Sequence, residues 1–379
     1  MGTAPTGVTR LTIRDFRSYD HLRLDVDLRP VVLTGANGSG KTNLLEALSF
    51  LTPGRGLRRA RLGEVTRRGA ASDAVWTVAA TVQGPRGSVD VGTGREPGGA
   101  DRRVVRIDGR TVRGQVALAE VAAAVWLTPV MDRLFVEGAA GRRRFLDRLV
   151  FGLDPGHARR AGAYERAMRE RGRLLREGRN DPAWLSALEA TMAREGVAMA
   201  AARRSVVAGL CQRAAGTDGP FPGAVPTLLG AVEGWLDEVA EPEAETRLRR
   251  SLWRSRGLDA GTGGAAEGPH RSDLVIRHAA KGLAAEQCST GEQKALLIAL
   301  MLAQARMQAE ERGAVPLLLL DEVVAHLDEA RRRALFEEIG RLGAQAWLTG
   351  TDQALFAGFG DGAQFFRVED STLTRQPSI

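Results

Sequence analysis

Leu11 and Ile13 alternate with polar neighbours, and from His21 to Leu28 the alternation is strict. Leu22, Leu24, Val26 and Leu28 fall on one side; His21, Arg23, Asp25 and Asp27 fall on the other. A period of two predicts half-buried strands. Pro30 ends the pattern, and Val31-Val32-Leu33 then forms a short, wholly apolar run, predicting a buried strand that feeds a glycine-rich segment. Asn43 to Leu48 reads as helix. Strand-like runs return at 74–82 and 103–107, the latter meeting Asp108-Gly109, a hairpin turn, while Gly92 to Gly99 reads as an exposed loop. The middle shifts to helical spacing, with Ala161, Tyr164, Met168 and Leu175 in one run and Leu185, Leu188, Met192, Met199, Val206 and Leu210 in the next. Asn180-Asp181-Pro182 separates them as a turn and a helix start. Two antiparallel helices follow, as an arm or as an ordinary helical layer. After a glycine-rich return at 262–268, helix is predicted over 292–307 and 329–339, and strand over 317–320, 346–349 and 364–368.

These changes of period predict an α/β protein split in sequence. One lobe is built from residues 1–135 and 263–379, and a mainly helical lobe, 136–262, is inserted between them. At 379 residues the chain has length for two lobes. Cys211 and Cys288 are the two cysteines, too few for a disulfide scaffold or a zinc site. No apolar run has the length of a bilayer span, so a soluble cytoplasmic protein with no membrane partner is expected. The formal charge of +7 permits a nucleic-acid partner without requiring one. Of 53 basic residues only Lys41, Lys281 and Lys294 are lysine. Arginine content therefore says little, and a lysine at position 41 says more.

Gly35-Ala36-Asn37-Gly38-Ser39-Gly40-Lys41-Thr42 has the spacing of a P-loop. Its glycines let backbone N–H groups turn inward onto phosphate, at the start of a helix whose own N-terminus attracts anions. Lys41 is placed for the β and γ phosphates and Thr42 for Mg²⁺. Asp321 follows four leucines, Leu317 to Leu320, and a buried parallel strand ending in a carboxylate sets its charge at the carboxyl edge of the sheet. Asp321 is expected to hold Mg²⁺ directly or through water, and Glu322 to polarise the attacking water. Which acid does which is open at this level.

Ser289-Thr290-Gly291-Glu292, opening a helix upstream of the acidic strand, resembles the signature element of ABC-type ATPases. The resemblance implies that Ser289, Gly291 and Glu292 of one chain meet the γ-phosphate held by a second chain, so that two ATP molecules lie in a head-to-tail dimer. It also implies that Asp328, in a segment similar to the family's D-loop, links the two sites. No histidine stands after the next strand to sense the γ-phosphate; Thr349 and Thr351 are the hydroxyls nearest that place.

Lys41 and Ser289 are 248 positions apart, longer than a transporter ATPase needs and far shorter than a long coiled-coil relative. An ABC transporter subunit and a short chromosome-organising ATPase are the competing readings. The chain resembles the RecF family of bacterial recombination and replication-repair proteins over nearly its whole length. The similarity is carried by Ile13 to Tyr19, Gly35 to Asn43, Ser49 to Gly56, Arg142-Arg143-Arg144-Phe145-Leu146-Asp147, Gly268-Pro269-His270-Arg271-Ser272-Asp273 and Ser289 to Lys294. It departs from the pattern at Val130, where a glutamate is usual, and at Cys288, often leucine. The resemblance implies weak Mg²⁺-dependent ATPase activity and ATP-dependent dimerisation on double-stranded and gapped DNA without sequence preference. It further implies recombinase loading together with RecO and RecR. Arg142, Arg143 and Arg144 are the candidate DNA contacts, with Arg159, Arg160, Arg166, Arg169, Arg173, Arg176 and Arg179 along the first middle helix.

Overall fold

The computed structural model describes residues 6–96, 98, 102–178, 181–216 and 220–378. Gly99, Arg179 and Asn180 of the sequence reading lie outside them. The chain forms two compact units: Met1–Asp132, Asp218–Phe221 and Leu297–Ile379 make the first; Arg133–Thr217 and Pro222–Leu296 make the second.

The first unit opens with β1 (Gly7–Phe16), β2 (Tyr19–Asp25), β3 (Val31–Thr34), α1 (Lys41–Ser49) and the short α2 (Leu62–Val65). It continues through β4 (Thr77–Gly84), β5 (Gly87–Arg95), β6 (Arg103–Ile107), β7 (Arg110–Val112) and β8 (Ala124–Leu127). An antiparallel sheet takes the order β2-β1-β4-β5-β6-β7. Its inner face buries the alternating residues Leu11, Ile13, Leu22 and Leu24, as the period of two requires. Phe16, Phe50 and Trp76 meet beneath it at ring-centroid distances of 4.9–5.8 Å, tying the sheet to the end of α1. The expected loop at Gly92 is strand: β5 extends to Arg95, because pairing with β4 on one side and β6 on the other outweighs the poor strand propensity of its glycines.

The second unit carries α3 (Ala139–Phe151), α4 (His157–Arg176), α5 (Pro182–Ala214), β9 (Ala224–Leu229), α6 (Ala231–Glu238), α7 (Glu241–Arg254), α8 (Arg256–Thr262) and β10 (Asp273–His278). Asp181 caps α5 by accepting from the N–H groups of Ala183 and Trp184, with Pro182 in the first turn. α4 and α5 pair as the spacing predicts. They do not stand as a bare arm: Tyr164, Met192, Val197, Val232, Leu248 and Leu252 form one core that joins them to α6 and α7. The unit also runs past Thr262, because β10 pairs antiparallel with β9.

The Gly268 to Asp273 segment ties this unit together. The Tyr164 hydroxyl donates to His270 Nδ1 at 2.6 Å, and His270 Nε2 donates to the Ala265 carbonyl, which fixes the tautomer. Gly268 has φ +140, and a Cβ there would lie 2.2 Å from the Tyr164 hydroxyl, so no side chain is tolerated. Pro269 O accepts from Arg203, Ser272 Oγ donates to Glu233, and Asp273 receives both arms of Arg142. Arg203 also grips Asp147 through two nitrogens, and His157 Nε2 lies 2.8 Å from the same carboxylate.

Burial alone would raise the Asp147 pKa, but the His157 hydrogen bond and the Arg203 charge outweigh it and hold the carboxyl at about 2. A depressed carboxylate stabilises the fold above its unfolded pKa, near 3.9. That stability, about 2 kcal/mol, is lost as pH falls from about 4 through about 2. Denaturant midpoints between pH 5 and pH 2.5 should therefore fall more steeply for the native chain than for Asp147→Asn. Parallel curves would refute the linkage.

The chain then enters α9 (Thr290–Arg312), within which the division between units falls, and continues through β11 (Leu317–Leu320), α10 (Glu329–Leu342), β12 (Ala346–Gly350), β13 (Gln364–Glu369) and β14 (Thr372–Gln376). The first unit's second sheet has the order β14-β13-β3-β12-β11-β8; β13, β3, β12, β11 and β8 run parallel and β14 antiparallel. β12 therefore lies between the strand that feeds the glycine loop and the strand that ends in the acidic pair. Loop, acids and the end of β12 meet at one carboxyl edge.

Candidate ATP site

The P-loop segment leaves β3 at Thr34 and becomes α1 at Lys41. Gly35, Gly38 and Gly40 have φ of +149, +84 and +115, values that L side chains rarely adopt. A Cβ at Gly35 would also fall 2.2 Å from the Val368 carbonyl oxygen. Ala36, Asn37 and Gly38 are exposed at the tip, whereas Gly40 and Lys41 are buried. The loop is held from outside: the Tyr19 hydroxyl donates to Gly40 O, the Ser371 N–H to Ser39 O, and Asn43 Nδ2 to Ser18 Oγ. Asn43 also accepts from Arg58, and Arg17 grips the buried Glu46 with two nitrogens. Lys41 Nζ donates to the carbonyls of Gly35 and Ala36 at 2.6 and 2.9 Å, and Glu322 Oε1 stands 3.6 Å away. The Ser39 hydroxyl oxygen is buried with no partner among the described residues. An orphan hydroxyl and a buried ammonium at a helix N-terminus fit a phosphate chain.

Asp321 is 4% exposed. The Thr42 hydroxyl lies 2.9 and 3.1 Å from its two oxygens, and the Thr349 hydroxyl donates to Oδ1 at 2.8 Å. Thr349 Oγ1 in turn accepts from the Glu322 N–H at 2.8 Å. Glu322 has φ +53, a left-handed backbone for a non-glycine residue, and this hydrogen bond holds it there. Thr349, one of the two hydroxyls nearest the place of the missing histidine, is fully buried and its single proton is committed to Asp321. It is a brace between the two acids, and only the strand order makes it one. Thr351 is exposed. Thr349→Val is expected to lower ATP turnover about 10- to 100-fold, in the range of a misplaced catalytic group, with Thr349→Ser restoring most of it. Equal loss in both variants would show that packing, not the hydroxyl, matters.

At the start of α9, Ser289 and Glu292 form a reciprocal capping box. Ser289 N–H and Oγ both donate to Glu292 Oε2 at 3.0 Å, and the Glu292 N–H points back at Ser289 Oγ. Lys281 pairs with Glu292. That ammonium, then the Ser289 groups, hold the Glu292 carboxyl down at about 2. Ser289 and Thr290 remain exposed beside Gly291. Asp328 is exposed and caps α10 through the Arg331 N–H.

The arginine triplet divides. Arg142 is committed to Asp273 through both arms, and Arg143 donates to the Ser272 carbonyl; Arg144 is exposed. Along α4, Arg160 pairs with Asp154, and Arg173 with Glu170 and Glu177. Arg171, not singled out from the sequence, is 1% exposed and bound on three sides.

Fold and loop together define an ABC-type ATPase head. Residues 7–372 match the family described as RecF/RecN/SMC N terminal domain. The chain is 51% identical over 376 residues to the DNA replication and repair protein RecF of Allorhizobium ampelinum, covering 97% of this chain and 99% of that one. It is 49% identical over 374 residues to the RecF of Mesorhizobium japonicum, covering 98% of each. The chain belongs to the RecF family of DNA replication and repair proteins. Its fold is that of the recombination mediator protein RecF solved with ATP in the RecFOR pathway, with a TM-score of 0.82, 22% identity and coverage of 98% of this chain and 100% of that one. The Smc head domain from Pyrococcus furiosus is more distant, with a TM-score of 0.54, 16% identity and coverage of 98% and 96%.

Proposed function

We propose that this chain is an ATP-dependent DNA clamp. Two copies close on double-stranded DNA around two ATP molecules, and slow Mg²⁺-dependent hydrolysis releases them. The observation that carries the reading is the hydrogen-bonded series Thr42–Asp321–Thr349–Glu322 beside Lys41. Gly35 to Thr42 cradle the triphosphate, and Lys41 exchanges its carbonyl partners for β and γ oxygens. Thr42 and Asp321, adjacent oxygen donors of the kind Mg²⁺ takes, would hold that ion, which would supply neutralising charge to the transferred phosphoryl group. Glu322, not Asp321, orients the attacking water and takes its proton, since Asp321 is braced by Thr42 and Thr349 and is the acid placed for Mg²⁺. Ser289 and the α9 N-terminus of one copy meet the γ-phosphate bound by the other, with Asp328 at the same junction. Contacts that exist only with ATP shift the population toward the dimer, so chemistry need not be fast.

Relatives named as DNA replication and repair proteins, and a RecF described in the RecFOR pathway, support a role in repairing gaps. In that role the clamp supports recombinase loading with RecO and RecR in the cytoplasm. Among the described residues no helix is long and apolar enough to cross a membrane. Light scattering with no nucleotide, ADP or ATP, each with and without a DNA duplex, tests the clamp. The dimer is expected with ATP alone and to be reinforced by duplex; a monomer under every condition would overturn it.

A further inference from the structure

The outward face of the antiparallel sheet has a regular arrangement that the ATP site does not use. Strand register sets Arg23 opposite Thr12, Thr12 opposite Ala79, Ala79 opposite Gly92 and Gly92 opposite Arg106. One straight row thus crosses five strands with arginine at both ends and nothing larger than threonine between. In the next row Arg14 stands opposite Thr77, and Thr77 opposite Gly94. Thr12, Thr77, Ala79, Gly92 and Gly94 of these rows, with Arg106 at one end, line a shallow open trough of about 610 Å³; Arg14 and Arg23 stand beyond its other end. At a strand spacing of about 4.8 Å, the four steps from Arg23 to Arg106 span about 19 Å.

The arginines are exposed and only loosely paired, Arg14 with Asp15 and Arg23 with Asp25. The side chains of Arg14 and Arg23 are 74% and 58% exposed, and their nearest carboxylates are no closer than 3.8 and 3.6 Å. Arg106 is exposed, with no ion pair among the described residues. The acids on this face lie in the outermost row, where Asp25 is engaged by Arg10 and Asp90 accepts from Thr81.

Gly92 is informative because the fold does not demand it. A Cβ there would find nothing closer than the Arg106 Cβ at 3.9 Å, and its φ is not positive. Gly94 differs, since its Cβ would strike the Trp76 carbonyl at 2.7 Å. A glycine inside a regularly paired strand, with room for a side chain, is one of the ways a sheet admits close approach by a ligand or another backbone.

We infer that this sheet face is a duplex-DNA docking surface, with Arg23 and Arg14 on one side and Arg106 on the other contacting the two phosphate chains that border a groove laid over Thr12, Ala79 and Gly92. The spacing brackets a major groove about 12 Å wide together with its flanking backbones. The contacts are to phosphate and carry no sequence preference. This inference rests on the DNA-clamp reading and moves the principal DNA contacts away from Arg142 and Arg143, whose guanidinium groups are occupied.

The test is fluorescence anisotropy of a 30-base-pair duplex with ATP present, over a KCl series. It compares the native chain, the triple variant Arg14→Ala/Arg23→Ala/Arg106→Ala, the single variant Arg106→Ala and the floor variant Gly92→Gln. Binding of a fluorescent ATP analogue reports that each variant is folded. The triple variant should bind at least 10-fold more weakly, with a salt slope shallower by about 2 to 3, because each lost phosphate contact removes about 0.9. Arg106→Ala should lower the slope by about 1, and Gly92→Gln should weaken binding several-fold at unchanged slope. A native chain that binds no duplex sinks the clamp reading itself, and this inference with it. Native binding matched by the triple variant in affinity and slope overturns only the sheet-face assignment. So does a triple variant that keeps duplex binding but loses binding to polyglutamate, which would make the face a site for an acidic polypeptide.

Discussion

Glu322→Gln is expected to lower the kcat for ATP hydrolysis by about 10³-fold, within the usual range for loss of a general base, while ATP affinity stays within a few-fold of native. Two carboxylates follow β11, and their surroundings differ. Asp321 is buried and accepts from Thr42 and Thr349, so moving it would break two hydrogen bonds. Glu322 is held only at its backbone: its N–H is pinned to Thr349, and its side chain, a quarter exposed, has Lys41 at 3.6 Å. A fixed backbone with a carboxylate held only by the long contact to Lys41 suits a group that must meet a water molecule. The amide keeps the shape and one acceptor oxygen but cannot take a proton, so binding survives and chemistry does not. Asp321→Asn should instead raise the Mg²⁺ concentration needed for half-maximal activity. Single-turnover hydrolysis alongside equilibrium ATP binding separates the two. Turnover by Glu322→Gln within threefold of native would remove Glu322 from the chemistry.

Features written in contiguous letters were the legible ones. The loop from Gly35 to Thr42, the acids after Leu317 to Leu320 and the Ser289–Glu292 box each depend on a few neighbouring residues, and each has the local form its spacing predicts. What escaped depends on partners far away in the chain. Thr349 becomes a brace only because β12 lies between β3 and β11. Arg142 and Arg143 read as a free cluster until Asp273 and Ser272, about 130 residues on, occupy them. Arg171 reads as one more arginine on a charged helix, since nothing local distinguishes it from the exposed Arg169. β9 and β10 are six residues each and pair across more than 40 positions, so neither carries a local signal. Gly92 reads as loop because glycine is a poor strand former, whereas pairing on both edges makes it strand.

Arg171→Ala should destabilise the helical unit by about 3–5 kcal/mol, the usual consequence of removing one partner from a buried ion pair. Nε donates to Glu189 on α5 at 3.0 Å, and the two terminal nitrogens donate to Asp259 on α8 at 2.7 Å and to the Leu252 carbonyl on α7 at 2.6 Å. One guanidinium on α4 therefore fixes three other helices. Its loss strands the acids unequally. Glu189 keeps Arg256, which reaches it through two nitrogens, whereas Asp259 keeps only the Ser255 hydroxyl, with its Oδ1 unpaired. Most of the penalty is thus an uncompensated Asp259 carboxylate. Arg171→Met should be nearly as harmful as Arg171→Ala despite filling the space, and Arg171→Met combined with Asp259→Leu should recover much of the stability. Far-ultraviolet circular dichroism in urea follows the unit, which carries α3 to α8. If Arg171→Met proves no worse than about 1 kcal/mol, or the double variant is less stable than the single, the charge is not what holds these helices together.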